Sequence, residues 1–153
     1  MTEHDELDLP LGRMVRTAAQ FELRLELVVK QLCESPFGAL LLSGESSSRL
    51  LNACRTLLEA HDEIPPTPRE ELQSILREGK ALLDRRHRYV HGAAGIVGET
   101  GELLSMRFRR MKAEPEFSKR SSDDLTELAD AFDELTDRAT KWMLACVAGF
   151  VSS

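Results

Sequence analysis

The chain has 153 residues, of which 42% are hydrophobic and 30% charged, and its formal net charge is −6. That length suits one domain able to bury about two-thirds of its unfolded surface, and the balance excludes a disordered chain. Aromatic residues make up only 5%, which favours helices packed on helices over a sandwich of aromatic and β-branched strands.

The first twenty residues are acidic and contain no apolar signal core, and no run of eighteen apolar residues occurs. A cytoplasmic protein without a membrane partner is expected. The cysteines are Cys33, Cys54 and Cys146, an odd number with no CxxC pair. They read as small core residues of a reducing compartment rather than a disulfide or zinc framework.

In chain order, Leu11, Met14, Ala18, Phe21, Leu25, Val28 and Leu32 recur with alternating spacings of three and four. This predicts one long amphipathic helix from about Pro10 to Glu34, with Asp8 as N-cap and Ser35-Pro36 as its stop. Phe37 to Leu42 is a short apolar piece. Ser43 to Ser48 reads as a turn and a cap for a second helix running to about His61, which buries Leu50, Leu51, Cys54, Leu57 and Leu58. The proline-rich segment from Ile64 to Pro68 is a rigid connector. Thr67 with Glu70 resembles a capping box for a third helix, with apolar face Leu72, Ile75, Leu76, Leu82, Leu83 and Val90. Gly92 should end it.

Glycines 92, 95, 98 and 101, and the alternation from Leu104 to Arg109, predict a β-hairpin over about 93–111. Ser122-Asp123-Asp124 then opens a last helix striped by Leu125, Leu128, Phe132, Leu135, Ala139, Trp142 and Cys146. The expectation is mainly α: a four-to-five-helix antiparallel bundle forming one domain over residues 1–153, with the hairpin inserted before the last helix.

Charge is unevenly placed. Between Arg77 and Arg120 there are eleven Lys and Arg against six Asp and Glu, while the remainder holds nine against twenty. A basic middle in an acidic chain hints at an anionic ligand. Phosphate-binding loops, HExxH, GxSxG and EF-hand patterns are all missing. The carboxylates of the last helix (Asp123, Asp124, Glu127, Asp130, Asp133, Glu134 and Asp137) read as an outer acidic face. No cofactor and no metal are expected.

The exception is the run Arg85-Arg86-His87-Arg88-Tyr89-Val90-His91-Gly92. The helix dipole accounts for cations at a C-terminus, which suits Arg85 and Arg88. Arg86, however, lies on the line of Leu72, Leu76, Gly79, Leu82 or Leu83, and Val90. A guanidinium there cannot shed its charge, so it must meet a carboxylate, another anion or an interface. Glu22 and Glu26 of the first helix are the candidate carboxylates.

Arg86-His87-Arg88-Tyr89-Val90-His91 fits the pattern Arg, then Asn, Asp or His, then any three residues, then His. Together with Tyr89-Val90-His91-Gly92 and the order of helices over roughly 9–151, it resembles the HEPN superfamily of helical domains. The resemblance implies a metal-independent endoribonuclease acting as a homodimer through the helices flanking Arg86 to His91, in the role of a toxin or defence effector with a cognate antitoxin or regulatory protein. Carried over, Arg86 would hold the scissile phosphate, His91 would be general acid or base, and His87 would orient the site. Arg85, Arg88, Arg107, Arg109, Arg110 and Lys112 would form a track for the RNA backbone. Many members carry Asn where His87 stands. The alternative is a non-catalytic nucleotide-binding, RNA-binding or protein-interaction module of the same kind, since fold does not fix function. Pairing of Arg86 with Glu22 or Glu26, at a distance from both His91 residues of a dimer, would count against cleavage.

Overall fold

A computed structural model describes residues 3–91, 93–97, 102–108, 115–119 and 122–150, with side chains described for 9–90 and 122–150. In order, the elements are α1 (Glu3–Cys33), α2 (Pro36–Leu42), α3 (Ser47–Ala60), α4 (Pro66–His91), β1 (Ala93–Val97), β2 (Glu102–Phe108), β3 (Pro115–Lys119) and α5 (Ser122–Val147). The molecule is a mainly α-helical bundle. Among the described residues, no helix is long and apolar enough to cross a membrane.

The stripes of α1 and α5 form the centre of the core. Met14, Ala18, Phe21, Leu25, Val28 and Leu32 are buried against Leu125, Leu128, Phe132, Leu135, Ala139 and Trp142, with Leu11 and Cys146 at the margins. Spacings of three and four keep such residues on one helical face. The rings of Phe21 and Phe132 meet at 5.9 Å between centroids, tilted by 42°, in the range of favourable aromatic pairs. Leu50, Leu51, Cys54 and Leu58 from α3 and Leu72, Ile75, Leu76 and Leu83 from α4 close the core.

The helices are not all antiparallel to their neighbours. Arg13 reaches Asp130 and Asp133, while Gln31 reaches the Met143 carbonyl, so α1 and α5 run in the same direction. Ser47 lies by Glu22 and His61 by the Leu32 carbonyl, so α3 is also parallel to α1. Of the long helices only α4 runs against the rest: Arg138 of α5 grips Glu71, Ser74 and Glu78, and Arg85 faces Glu127. This corrects the expectation of an antiparallel bundle. Its cause is α2, which returns the chain alongside α1 so that α3 starts level with the middle of α1.

Phe37 to Leu42 forms that helix because Ser35 accepts from the Gly38 amide and Pro36 occupies the first turn. It buries none of its residues, leaving Phe37, Leu40 and Leu41 exposed. Other boundaries also move. α1 starts at Glu3, so Pro10 lies inside the helix rather than in its first turn, at the cost of one backbone donor. α4 starts at Pro66, ahead of Thr67, because prolines are tolerated where helical amides have no partner anyway. Val90 is 45% exposed instead of buried, because α3 begins at the level of Arg86 and does not reach beyond it.

Two further devices shape the ends. Trp142 donates from its indole nitrogen to the Pro68 carbonyl at 2.7 Å, joining the end of α5 to the start of α4. After α5, the Gly149 amide donates to Cys146 and the Phe150 amide to Ala145, with Gly149 at φ +76°. This is a Schellman closure, and it lays Phe150 against Trp142 at 5.3 Å. Between α4 and α5 the strands form one antiparallel sheet in the order β1-β2-β3, with Gly95 opposite Leu104 and Met106 opposite Phe117. β3 has no signal in the alternation that marks β2. The three cysteines are free, but only Cys54 is buried; Cys33 and Cys146 are partly exposed.

At Gly79 the Phe21 ring of α1 lies against the backbone of α4. A Cβ there would lie 2.5 Å from Cζ and 2.8 Å from Cε1 of Phe21. Alanine gains about 1 kcal/mol over glycine within a helix, but crowding a filled core costs about 1–3 kcal/mol. The Phe21 ring is fully buried and has no free space to turn into, so Gly79→Ala should lower stability by about 1–2 kcal/mol. Urea unfolding measures this; a variant as stable as the parent would show that the contact is loose.

Candidate functional site

The cluster of expected site residues lies on the last turns of α4. Burial of Leu76 and Leu83 against the core turns Arg86 toward α1 and α3, and Arg86 is neither buried nor free. Its Nη2 donates to Glu22 Oε1 at 3.1 Å and its Nη1 to Oε2 at 3.4 Å. Both side chains are about three-quarters covered, 27% and 25% exposed. The carboxylate expected opposite Arg86 is therefore Glu22. Glu26, the other candidate, pairs instead with Lys30 at 2.9 Å.

Glu22 also accepts a hydrogen bond from the Ser47 hydroxyl, so one carboxylate links α1 to both α3 and α4. The two Arg86 contacts are long for charge-assisted bonds, which cluster at about 2.7–2.9 Å. Of the roughly five donors in a guanidinium, these use two, and Arg86 Nε is buried with no partner among the described residues.

Beside this pair lies a cleft of about 450 Å³ between the start of α3 and the last half of α4. Ser46, Ser47, Ser48, Asn52 and Arg55 form one wall, and Lys80, Asp84, Arg86 and His87 the other. Ser46 caps α3 by accepting from the Arg49 amide, and Ser46, Ser47 and Ser48 bring the start of that helix to the cleft. Helix N-termini carry partial positive charge. Asp84 is engaged by Lys80 at 3.1 Å and Arg55 reaches Asn52 at 3.3 Å. Among the described residues the cleft thus holds three permanent cations, the His87 imidazole and one carboxylate. A second hollow of about 500 Å³, lined by Leu9, Pro10, Gly12, Arg13, Arg16 and Thr126, offers no acid–base pair.

The other expected residues are spread out. His87 faces the cleft, Arg88 is exposed nearby, and Arg85 points to the opposite side, where it meets Glu127 of α5 at 3.7 Å. A single RNA track through Arg85 and Arg86 is therefore not formed by this stretch of α4. The side chains of His91, Arg107, Arg109, Arg110 and Lys112 lie outside the described residues. Sequence reasoning missed Asn52, Arg55, Lys80 and Asp84. It also took Ser46 to Ser48 only as a helix start, because nothing in a serine run tells which side of the bundle it faces. The acidic face of α5 is partly neutralised: Arg13 bridges Asp130 and Asp133 at 2.6 and 3.1 Å, and these carboxylates raise the Arg13 pKa.

No protein-family model, curated protein or solved structure matches the chain.

Removing Glu22 would leave a largely covered guanidinium without its carboxylate and Ser47 without its acceptor. Glu22→Ala should therefore cost about 1–3 kcal/mol in denaturant unfolding, the range for stranding a hydrogen-bonding group. Arg86→Ala in the Glu22→Ala background should cost much less than in the parent, as a double-mutant cycle would show. Additive losses would mean that the two residues act separately.

Proposed function

We propose that the protein is an RNA-binding helical domain of HEPN-like kind, which holds backbone phosphate in the cleft between α3 and α4. The supporting observation is the cleft's wall chemistry. Arg55, Lys80 and Arg86 stand opposite or beside a serine-capped helix start, and His87 lines the same cleft. Phosphate suits such a place because it accepts several hydrogen bonds and repays desolvation of cations. In sequence, the basic stretch from Arg77 to Arg120 runs on from the cleft residues of α4, which suits an elongated polyanion.

Cleavage is the second reading, favoured by the position of His87 beside Arg86. In it a dimer joins the ends of two α4 helices, Arg86 stabilises a developing phosphorane charge, and His91 moves the proton between the 2′-hydroxyl and the leaving oxygen. Such an enzyme would fit the role of a toxin or defence effector. We rank it second because cleavage needs Arg86 itself on the scissile phosphate, in competition with Glu22, whereas binding can rest on the exposed Arg55 and Lys80.

Both readings are separated by incubating labelled single-stranded RNA with the full chain in EDTA and measuring binding and products together. Binding without cleavage is expected, weakening steeply with salt. Substituting the exposed Arg55 and Lys80 by Ala should weaken it roughly tenfold, about the loss of one or two phosphate contacts. Cyclic-phosphate products that vanish in His91→Ala would establish the enzymatic reading instead. RNA affinity equal in the parent and in the Arg55→Ala, Lys80→Ala variant would remove the cleft from either account.

A further inference from the structure

At the other end of the bundle, far along α1 from Glu22, a second group of side chains converges. α1 ends at Cys33, and α3 ends with His61 as its C-cap. Glu34, His61 and Glu63 each offer one ligand atom here, all within 4.8 Å of one another.

His61 is held by both ring nitrogens. Nε2 lies 2.7 Å from the Leu32 carbonyl oxygen and Nδ1 lies 2.5 Å from Glu63 Oε1. A backbone carbonyl can only accept, so Nε2 carries a proton and donates. That leaves Nδ1 as the nitrogen turned toward the two carboxylates. One ring nitrogen donating to a backbone carbonyl while the other faces a ligand position is the arrangement that orients histidines around metals.

We propose that Glu34, His61 and Glu63 form a site for a divalent transition-metal ion of the zinc class. The donor set is one imidazole and two carboxylates, with water to complete the shell. Mixed N and O donors of this number suit zinc or cobalt better than calcium or magnesium, which take oxygen alone. Zinc bonds of about 2.0–2.2 Å to nitrogen and oxygen require donors to move to about 3.3–3.6 Å apart. The carboxylates can make that movement, since Glu34 is exposed and the Glu63 side chain is 68% exposed. The imidazole, only 15% exposed, stays where Leu32 fixes it.

Charge favours a cation despite one opponent. Arg69 lies beside the group, donating to the carbonyls of Leu58 and His61, but it faces two carboxylates. Placement along the chain also fits a device for joining elements. The ligands come from the ends of α1 and α3, so an ion would tie these two helices together.

Glu34 supplies a clean test variant. Its φ is +53°, a left-handed conformation that glycine adopts without steric cost. Glu34→Gly therefore removes a ligand while easing the backbone, and Glu63→Gln removes a charge with little change of shape. His61→Ala also deprives the Leu32 carbonyl of its donor and is not needed.

The experiment titrates chelator-treated full chain with cobalt(II) and zinc(II), following visible absorption and thermal melting. One saturable cobalt ion per chain is expected, with visible absorption of the bound ion and a melting temperature raised by zinc. Glu34→Gly and Glu63→Gln should each weaken binding at least tenfold while melting cooperatively without metal. Unchanged affinity in either carboxylate variant, or no saturable binding, overturns the site. None of these readouts depends on RNA.

Discussion

The seating of Phe21 on Gly79 is the constraint that orders the rest. Phe21 is fully buried where α1, α4 and α5 meet, with Phe132 on one side and the bare backbone of Gly79 on the other. Burying a side chain of this size contributes about 1.5–3 kcal/mol, and the absent Cβ lets the two helices approach. Once that contact fixes the height of α1 against α4, the neighbouring Glu22 comes within side-chain reach of Arg86, two turns beyond Gly79 on α4. The core contact and the polar bridge are consecutive consequences of one register.

Glu22 in turn reaches Ser47 and thereby fixes where α3 begins. The opening of α3 and the last turns of α4 are then forced to face each other, which makes the cleft. α2 has a part in this: without its short return along α1, an α3 parallel to α1 could not start at mid-height. The outcome is a bundle in which α4 alone runs against the other long helices. Its basic end therefore lies beside the amino end of α3, where dipole and cations add to the same field.

Much of this could be read from the residues. The stripes of α1 and α5 and the apolar sets of α3 and α4 identified the core almost residue by residue, because a period near 3.6 leaves little choice of face. Arg86 on an apolar line implied a carboxylate partner, and Glu22 was one of two named. Directions were not legible, since a stripe is the same read up or down. Phe37 to Leu42 showed no helical signal because an exposed apolar segment of seven residues has no amphipathic period to detect. The group at Glu34, His61 and Glu63 was invisible for another reason. Glu34 is far in sequence from His61 and Glu63, and the ends of α1 and α3 bring them together. The expected absence of a metal rested on spacing motifs alone, which such a site does not use.

The central claim is that the cleft between α3 and α4 receives phosphate. The most direct measurement is an amide and side-chain NMR titration of the full chain with inorganic phosphate and then with a short single-stranded RNA. The account predicts saturable shifts confined first to the amides of Ser47, Ser48 and Arg49 and the side chains of Arg55, Arg86 and His87, with RNA extending them along the basic stretch. Shifts centred elsewhere on the bundle, with those residues unmoved, would contradict it.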